Sequence, residues 1–182
     1  MIVLKDEGLY CPEGDFFIDP LLPCKNAVIT HAHADHARPG MKNYICTPET
    51  SEIMKLRISK DLLIKEVEYN NEIQINSVKI TFIPAGHVLG SSQIKIDNGS
   101  EVTIITGDYK RAIDPTCKAF EVHECDTFVT EATFASPKRK SIQAYEDFVA
   151  GGGNLYVPSP DQKARFKTAA SPVYDWFKAN VK

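Results

Sequence analysis

Four side chains able to bind a metal ion fall within six residues, at His31-Ala32-His33-Ala34-Asp35-His36. On an extended chain residues two apart share a face, so His31 and His33 can grip one ion together, and a turn just after them lets Asp35 and His36 grip a second. Imidazole with carboxylate suits zinc, and also manganese or iron, better than calcium or magnesium. A lone histidine is more often a satisfied core residue than a ligand, and the H-x-H-x-D-H spacing is what sets this group apart. The cluster alone leaves the first ion short of ligands, and two downstream loops look able to supply them. His87 stands directly after an apolar run, within Pro84-Ala85-Gly86-His87-Val88-Leu89-Gly90-Ser91-Ser92, where glycines let backbone approach closely. Asp108 ends Val102-Thr103-Ile104-Ile105-Thr106-Gly107 and could bridge two ions. Singly each is weak, since strand-end aspartates are usually turn or cap residues. Together they make three strand ends aimed at one point.

The elements that must deliver these residues are legible in the hydrophobic pattern. Ile2-Val3-Leu4, Leu9-Tyr10 and Phe16-Phe17-Ile18, separated by turn residues, read as an antiparallel meander, and Asn26 to Thr30 as a short strand presenting the histidine cluster. Tyr44-Ile45-Cys46 reads as a strand. Thr47-Pro48-Glu49 is a helix start, with a hydroxyl cap, proline in the first turn and an early acid, predicting a helix over 48–58. Residues 72–84 alternate around Asn76-Ser77, and 93–96 pairs with 101–106 across Asn98-Gly99, predicting two hairpins. Beyond Phe134 the character shifts to a basic loop at Pro137 to Lys140, a helix over 141–150, a strand at Leu155-Tyr156-Val157 and two helices over 161–169 and 172–179.

With 182 residues, 43% of them hydrophobic, the chain is long enough to bury a real core. A net charge of −3 argues against wholesale electrostatic binding of nucleic acid but leaves room for a local basic patch. Five scattered cysteines without C-x-x-C pairing fit reduced thiols rather than disulfides or a zinc knuckle. No signal peptide and no apolar run of membrane-spanning length are seen, so a soluble, cytoplasmic protein without membrane contact is the expectation.

The ordered set His31-x-His33-x-Asp35-His36, Gly86-His87 and Gly107-Asp108 resembles the metallo-β-lactamase superfamily. Longer stretches resemble its β-CASP nucleases: Ile18-Asp19-Pro20, Ala27 to Gly40, Gly86 to Ser91, Gly107-Asp108-Tyr109-Lys110-Arg111 and Thr130-Glu131-Ala132-Thr133-Phe134. They are most similar to the bacterial DNA-ligase-associated exonucleases, also labelled mRNA 3'-end processing factors. The resemblance covers residues 8–134. It implies an α/β fold, a layered αββα sandwich, expected here to be incomplete at the C-terminus. It implies two divalent ions, zinc first and manganese as the alternative, with His31, His33 and His87 on one, Asp35 and His36 on the other, and Asp108 bridging. Asp19 would hold the metal loop from behind, Glu131 would match the acid that opens the β-CASP segment, and Asp35 could take a proton from the attacking water. Lys110 and Arg111 would contact phosphates, whereas Lys138-Arg139-Lys140 reads better as a solvated run.

The activity so implied is metal-dependent phosphodiester hydrolysis, foremost by a DNA exonuclease in repair, with DNA favoured over RNA and with DNA ligase and helicase as partners. An RNA-processing nuclease, a thioester or lactam hydrolase of the same fold, and a non-catalytic metal-binding fragment are the alternatives. Two departures from the family pattern bear on this. Only His123 follows Asp108, in no recognisable motif, so the last histidine of the second metal position is missing and that position is expected to be incomplete. The Thr130 to Phe134 motif is separated from Pro172-Val173-Tyr174-Asp175-Trp176 by a segment flanked by Ala135-Ser136-Pro137 and Ala170-Ser171-Pro172, read as an insertion or as pieces joined out of order. The expected division is a metal-binding core over 1–134 and, over 135–182, an insertion or the truncated start of a β-CASP-like segment.

Overall fold

The computed structural model describes residues 1–131 in full and the backbone of residues 154 and 155. The predicted meander forms: β1 (Val3–Lys5), β2 (Gly8–Cys11) and β3 (Phe16–Ile18) pair antiparallel. The sheet then continues in parallel with β4 (Asn26–Val28), β5 (Asn43–Cys46) and β6 (Ile64–Glu66), in chain order. Between β5 and β6 lies α1 (Pro48–Arg57), capped as expected by Thr47, whose side chain accepts from the Thr50 N–H.

A second six-stranded sheet holds both predicted hairpins. β7 (Glu72–Ile75) pairs with β8 (Val78–Pro84), and β9 (Ser92–Asp97) with β10 (Val102–Ile105), all antiparallel. At Asn98-Gly99 the Asn98 Oδ1 accepts from the Ser100 and Glu101 amides while Gly99 takes φ +84°, the left-handed geometry that explains glycine there. Two parallel strands complete the sheet, β11 (Thr127–Val129) and β12 (Asn154–Leu155).

Side-chain alternation sorts the layers. Phe16, Ile18 and Val28 of the first sheet meet Val78, Ile80, Phe82, Ile94, Ile96 and Ile105 of the second in one buried cluster. The opposite face of the first sheet, with Ala27, Tyr44 and Cys46, packs with Met54 of α1 and with Ile29, Ala37 and Met41. Among the described residues the order is helix, sheet, sheet, three of the four layers expected of the αββα sandwich. Strands β6 and β11 were not foreseen. Ile64-Lys65-Glu66 lacks apolar alternation and is held by its edge pairing with β5, and Thr127-Phe128-Val129 sits among charged residues and is recruited as a parallel neighbour of β10. Of the strand expected at 155–157, Leu155 lies in β12 (Asn154–Leu155) and the other two residues lie outside the described residues. The basic loop at 137–140, the motif residues Ala132 to Phe134 and the helices expected over 141–150, 161–169 and 172–179 lie outside the described residues.

The topology dictates where a site can be. β3 and β4 run parallel, so their C-terminal ends share one edge of the first sheet. β8 and β10 are each antiparallel to β9, and β11 is parallel to β10, so these three also end at a common edge. The two edges are tied together by Ser92, whose N–H and Oγ both donate to the Thr30 carbonyl, at 2.8 and 2.9 Å.

Candidate metal centre

Each side chain singled out by its chemistry follows one of those strand ends: Asp19 after β3, His31 to His36 after β4, His87 after β8, Asp108 after β10 and Glu131 after β11. Five strand ends contribute rather than three, as fits the rule that function-bearing residues sit on loops carried by a rigid sheet.

His31 Nε2 lies 2.9 Å from His33 Nδ1, which is 3.3 Å from His87 Nε2. Asp108 Oδ2 lies 3.6 Å from His87 Nε2 and 4.0 Å from His31 Nε2. Single donor atoms of these four residues all fall within 4.8 Å of one another. Four donors arranged tetrahedrally about a zinc ion stand about 3.3 Å apart, given Zn–N and Zn–O distances near 2.0–2.1 Å. The observed spacings bracket that value, and three imidazoles with one carboxylate are a donor set zinc accepts. The residues present therefore fit one divalent ion.

A second group adjoins the first. His36 Nε2 is 3.4 Å from Asp108 Oδ1 and 3.8 Å from Asp35 Oδ2. Asp108 thus turns one oxygen to His31 and His87 and the other to His36. His123, by contrast, meets Glu121 Oε2 at 3.4 Å and is not one of the four clustered donors.

Behind the ligand groups Asp19 accepts three hydrogen bonds: its Oδ1 from the Thr30 N–H at 2.8 Å, its Oδ2 from the Thr30 hydroxyl at 2.6 Å and from His36 Nδ1 at 2.7 Å. It does so with φ +43°, a conformation unusual outside glycine that persists only where surrounding bonds enforce it. The His87 loop is built the same way. Buried Ser91 receives the His87 and Val88 amides on its hydroxyl, and Thr47 and Thr50 of the α1 N-terminus donate to the Gly90 carbonyl. At Gly86 (φ +70°) a side chain would run into the Lys110 carbonyl. Gly107 (φ +54°) lets the Asp108 loop pass so near Thr30 that an added Cβ would fall 2.6 Å from its Oγ1. Thr30, Ser91 and Ser92 have no role of their own in the sequence pattern, because a hydroxyl in a strand-flanking loop finds its partners only once the loops meet.

The electrostatics separate the histidines. Burial drives His31 down to about 4, reinforced by His36 and His33 and opposed by Asp19 and Asp108. For His36 burial acts in the same direction, but hydrogen bonds to Asp108 and Asp19 outweigh it and carry the group up to about 10. Burial also lowers His87, while Asp108 is depressed, chiefly by its bond to His36. Of the expected phosphate contacts, Lys110 is paired with Asp114 at 3.0 Å and Arg111 is exposed. Glu131 Oε1 accepts from the Tyr109 N–H at 3.1 Å, bracing the Asp108 loop from β11.

The layered fold and the His/Asp set at its joined strand ends resemble those of metallo-β-lactamase-like proteins and form a candidate metal centre. No protein-family model matches the chain. It is similar to a probable DNA ligase of Opitutus terrae, 26% identical over 71% of this chain and 13% of that protein. It is also similar to the endoribonuclease YSH1 of Kluyveromyces lactis, 30% identical over 52% of this chain and 14% of that protein. A third relative is an RNase J-like protein of Methanocaldococcus jannaschii, 26% identical over 72% of this chain and 39% of that protein. The chain spans well under half the length of each. These matches bear out the resemblance to the β-CASP branch of the metallo-β-lactamase superfamily.

Proposed function

We propose that the chain carries the metal centre of a nucleic-acid phosphodiester hydrolase. The observation that supports this reading most is the division of Asp108, one oxygen toward His31 and His87 and the other toward His36. His31, His33 and His87 with one Asp108 oxygen would hold one divalent ion, and Asp35 and His36 with the other oxygen would begin the coordination of a second. Zinc suits these ligands and manganese is the alternative. When bound, such ions activate water and neutralise charge on the phosphoryl oxygens during an in-line displacement.

The chain's own residues have distinct tasks in this reading. Buried His31 stays neutral and offers a lone pair to the centre. Asp19 holds His36 with Nδ1 occupied and Nε2 turned inward. Asp35, with a side chain 72% exposed, stands on the open side, where it accepts the proton of the attacking water as a general base. Arg111 contacts a substrate phosphate, with Lys110 beside it in partnership with Asp114. Residues 1–134 then form the metal-binding unit, joined at its sheet edge by β12, and 135–182 are an insertion or the truncated start of a β-CASP-like segment.

The finer reading is a DNA exonuclease working in repair beside a ligase and helicase, supported by the similarity to a protein named a probable DNA ligase. A second reading, RNA processing, is favoured by the two relatives named as ribonucleases. End-labelled single-stranded DNA and RNA of one sequence, each incubated with the zinc- or manganese-loaded chain, separate the two. Stepwise shortening of DNA that stops on chelation is expected, cleavage of RNA alone would transfer the assignment to the second reading, and cleavage surviving chelation would overturn both.

A further inference from the structure

Thr30, 1% exposed, places its hydroxyl between two groups, 2.6 Å from Asp19 Oδ2 and 3.1 Å from His31 Nδ1. A hydroxyl has one proton to give, and an ionised carboxylate can only accept, so that proton lies on the Asp19 side. Oγ1 then faces His31 Nδ1 with a lone pair. The contact is a hydrogen bond only if Nδ1 carries a proton. We infer that Thr30 is a positioning residue that holds His31 in its Nδ1–H form and keeps Nε2 as a lone pair facing His33 and Asp108.

The consequence reaches both ligand groups. Asp19 Oδ2 also receives His36 Nδ1 directly, at 2.7 Å. One carboxylate therefore aligns a histidine of each group, His36 by contact and His31 through Thr30. Thr30 is held against turning away: its N–H donates to Asp19 Oδ1, its carbonyl accepts twice from Ser92, and its side chain fills the space left by Gly107. Every strand end that supplies a ligand to the first group, apart from that of His87, touches this one residue. The effect on metal binding rests on the proposed metal centre, whereas the protonation pattern is a property of the chain alone.

The test uses the full chain labelled with ¹⁵N in its histidines and stripped of metal. Long-range correlation spectra, with His31 assigned through its loss in His31→Asn, should show Nδ1 protonated and Nε2 bare; an Nε2–H form would overturn the inference. Calorimetric zinc titration supplies the second readout. Thr30→Val keeps the shape but not the hydroxyl and should weaken zinc binding about 10- to 100-fold, while Thr30→Ser should retain the wild-type affinity. Wild-type affinity in a folded Thr30→Val also overturns the inference. Should Thr30→Val fail to fold, the wild-type spectrum and Thr30→Ser decide. A wild-type chain that shows the Nδ1–H form yet takes up no zinc would refute the metal centre and leave the role of Thr30 standing.

Discussion

Asp19 is the residue on which the most of the site's geometry converges, since both of its oxygens are engaged and one aligns His36. Asp19→Asn preserves its size but puts an amide donor where acceptors are needed. We expect a loss of about 10- to 100-fold in zinc affinity, the range usual for groups that orient metal-bound histidines. Asp15→Asn, at another positive-φ turn where the carboxylate meets Tyr10, should leave affinity unchanged, and calorimetry compares the two. His36 gives a pH signature in the metal-free chain. Its pKa is carried on folding from 6.5 to about 10, because Asp108 and Asp19 outweigh burial. A raised pKa contributes stability that is complete below pH 6.5 and is lost as pH rises through 10. Urea unfolding of wild type and His36→Asn at pH 6, 8 and 10 should therefore show a difference that shrinks toward pH 10, and a constant difference would contradict this account. The depressed pKa of Asp108 acts with opposite sign, its contribution present above 3.8 and lost as pH falls. The proposed ligands were legible in the sequence because H-x-H-x-D-H is a spacing rule within one segment. Thr30 was not, because its role exists only once β3, β4 and β10 meet.

At the level of elements, the loops on either side of β10 are shaped by glycines whose requirement differs in kind. Gly107 and Gly99 both have positive φ, but an added Cβ meets Thr30 at Gly107 and nothing within 4 Å at Gly99. Gly99→Ala should cost about 1 kcal/mol, the strain of a left-handed alanine. Gly107→Ala should cost roughly 1–3 kcal/mol, and it should also impair zinc binding by displacing Thr30, which chemical denaturation and calorimetry together can show. The hairpins and α1 were readable because their signals are local: alternation, Asn-Gly, and a threonine cap followed by proline. β6 and β11 are tertiary in origin. Neither three-residue strand has a pattern of its own, and each forms only because a neighbouring strand offers unpaired backbone groups.

For the whole molecule, the face-to-face sheets are what bring β3 and β4 to the same edge as β8, β10 and β11, so the proposed metal binding depends on core integrity. Phe82 is fully buried between the sheets on β8, five residues before His87, and Phe82→Ala should lower stability by about 3–5 kcal/mol in urea unfolding. The order of ligands along the chain was readable, and so was the layered fold it implied. The place of Asp108 between two groups was readable too, as a strand-end carboxylate expected to bridge, whereas which of its oxygens faces which group depends on the direction of one carboxylate. The claim on which everything else depends is that these strand ends hold a divalent ion. Plasma spectrometry of zinc retained by the full chain after dialysis, wild type beside His33→Ala, tests it most directly. The account predicts about one equivalent or more in the wild type and a marked loss in the variant, as expected for a three-histidine, one-carboxylate site; equal retention by both, or none by the wild type, would contradict it.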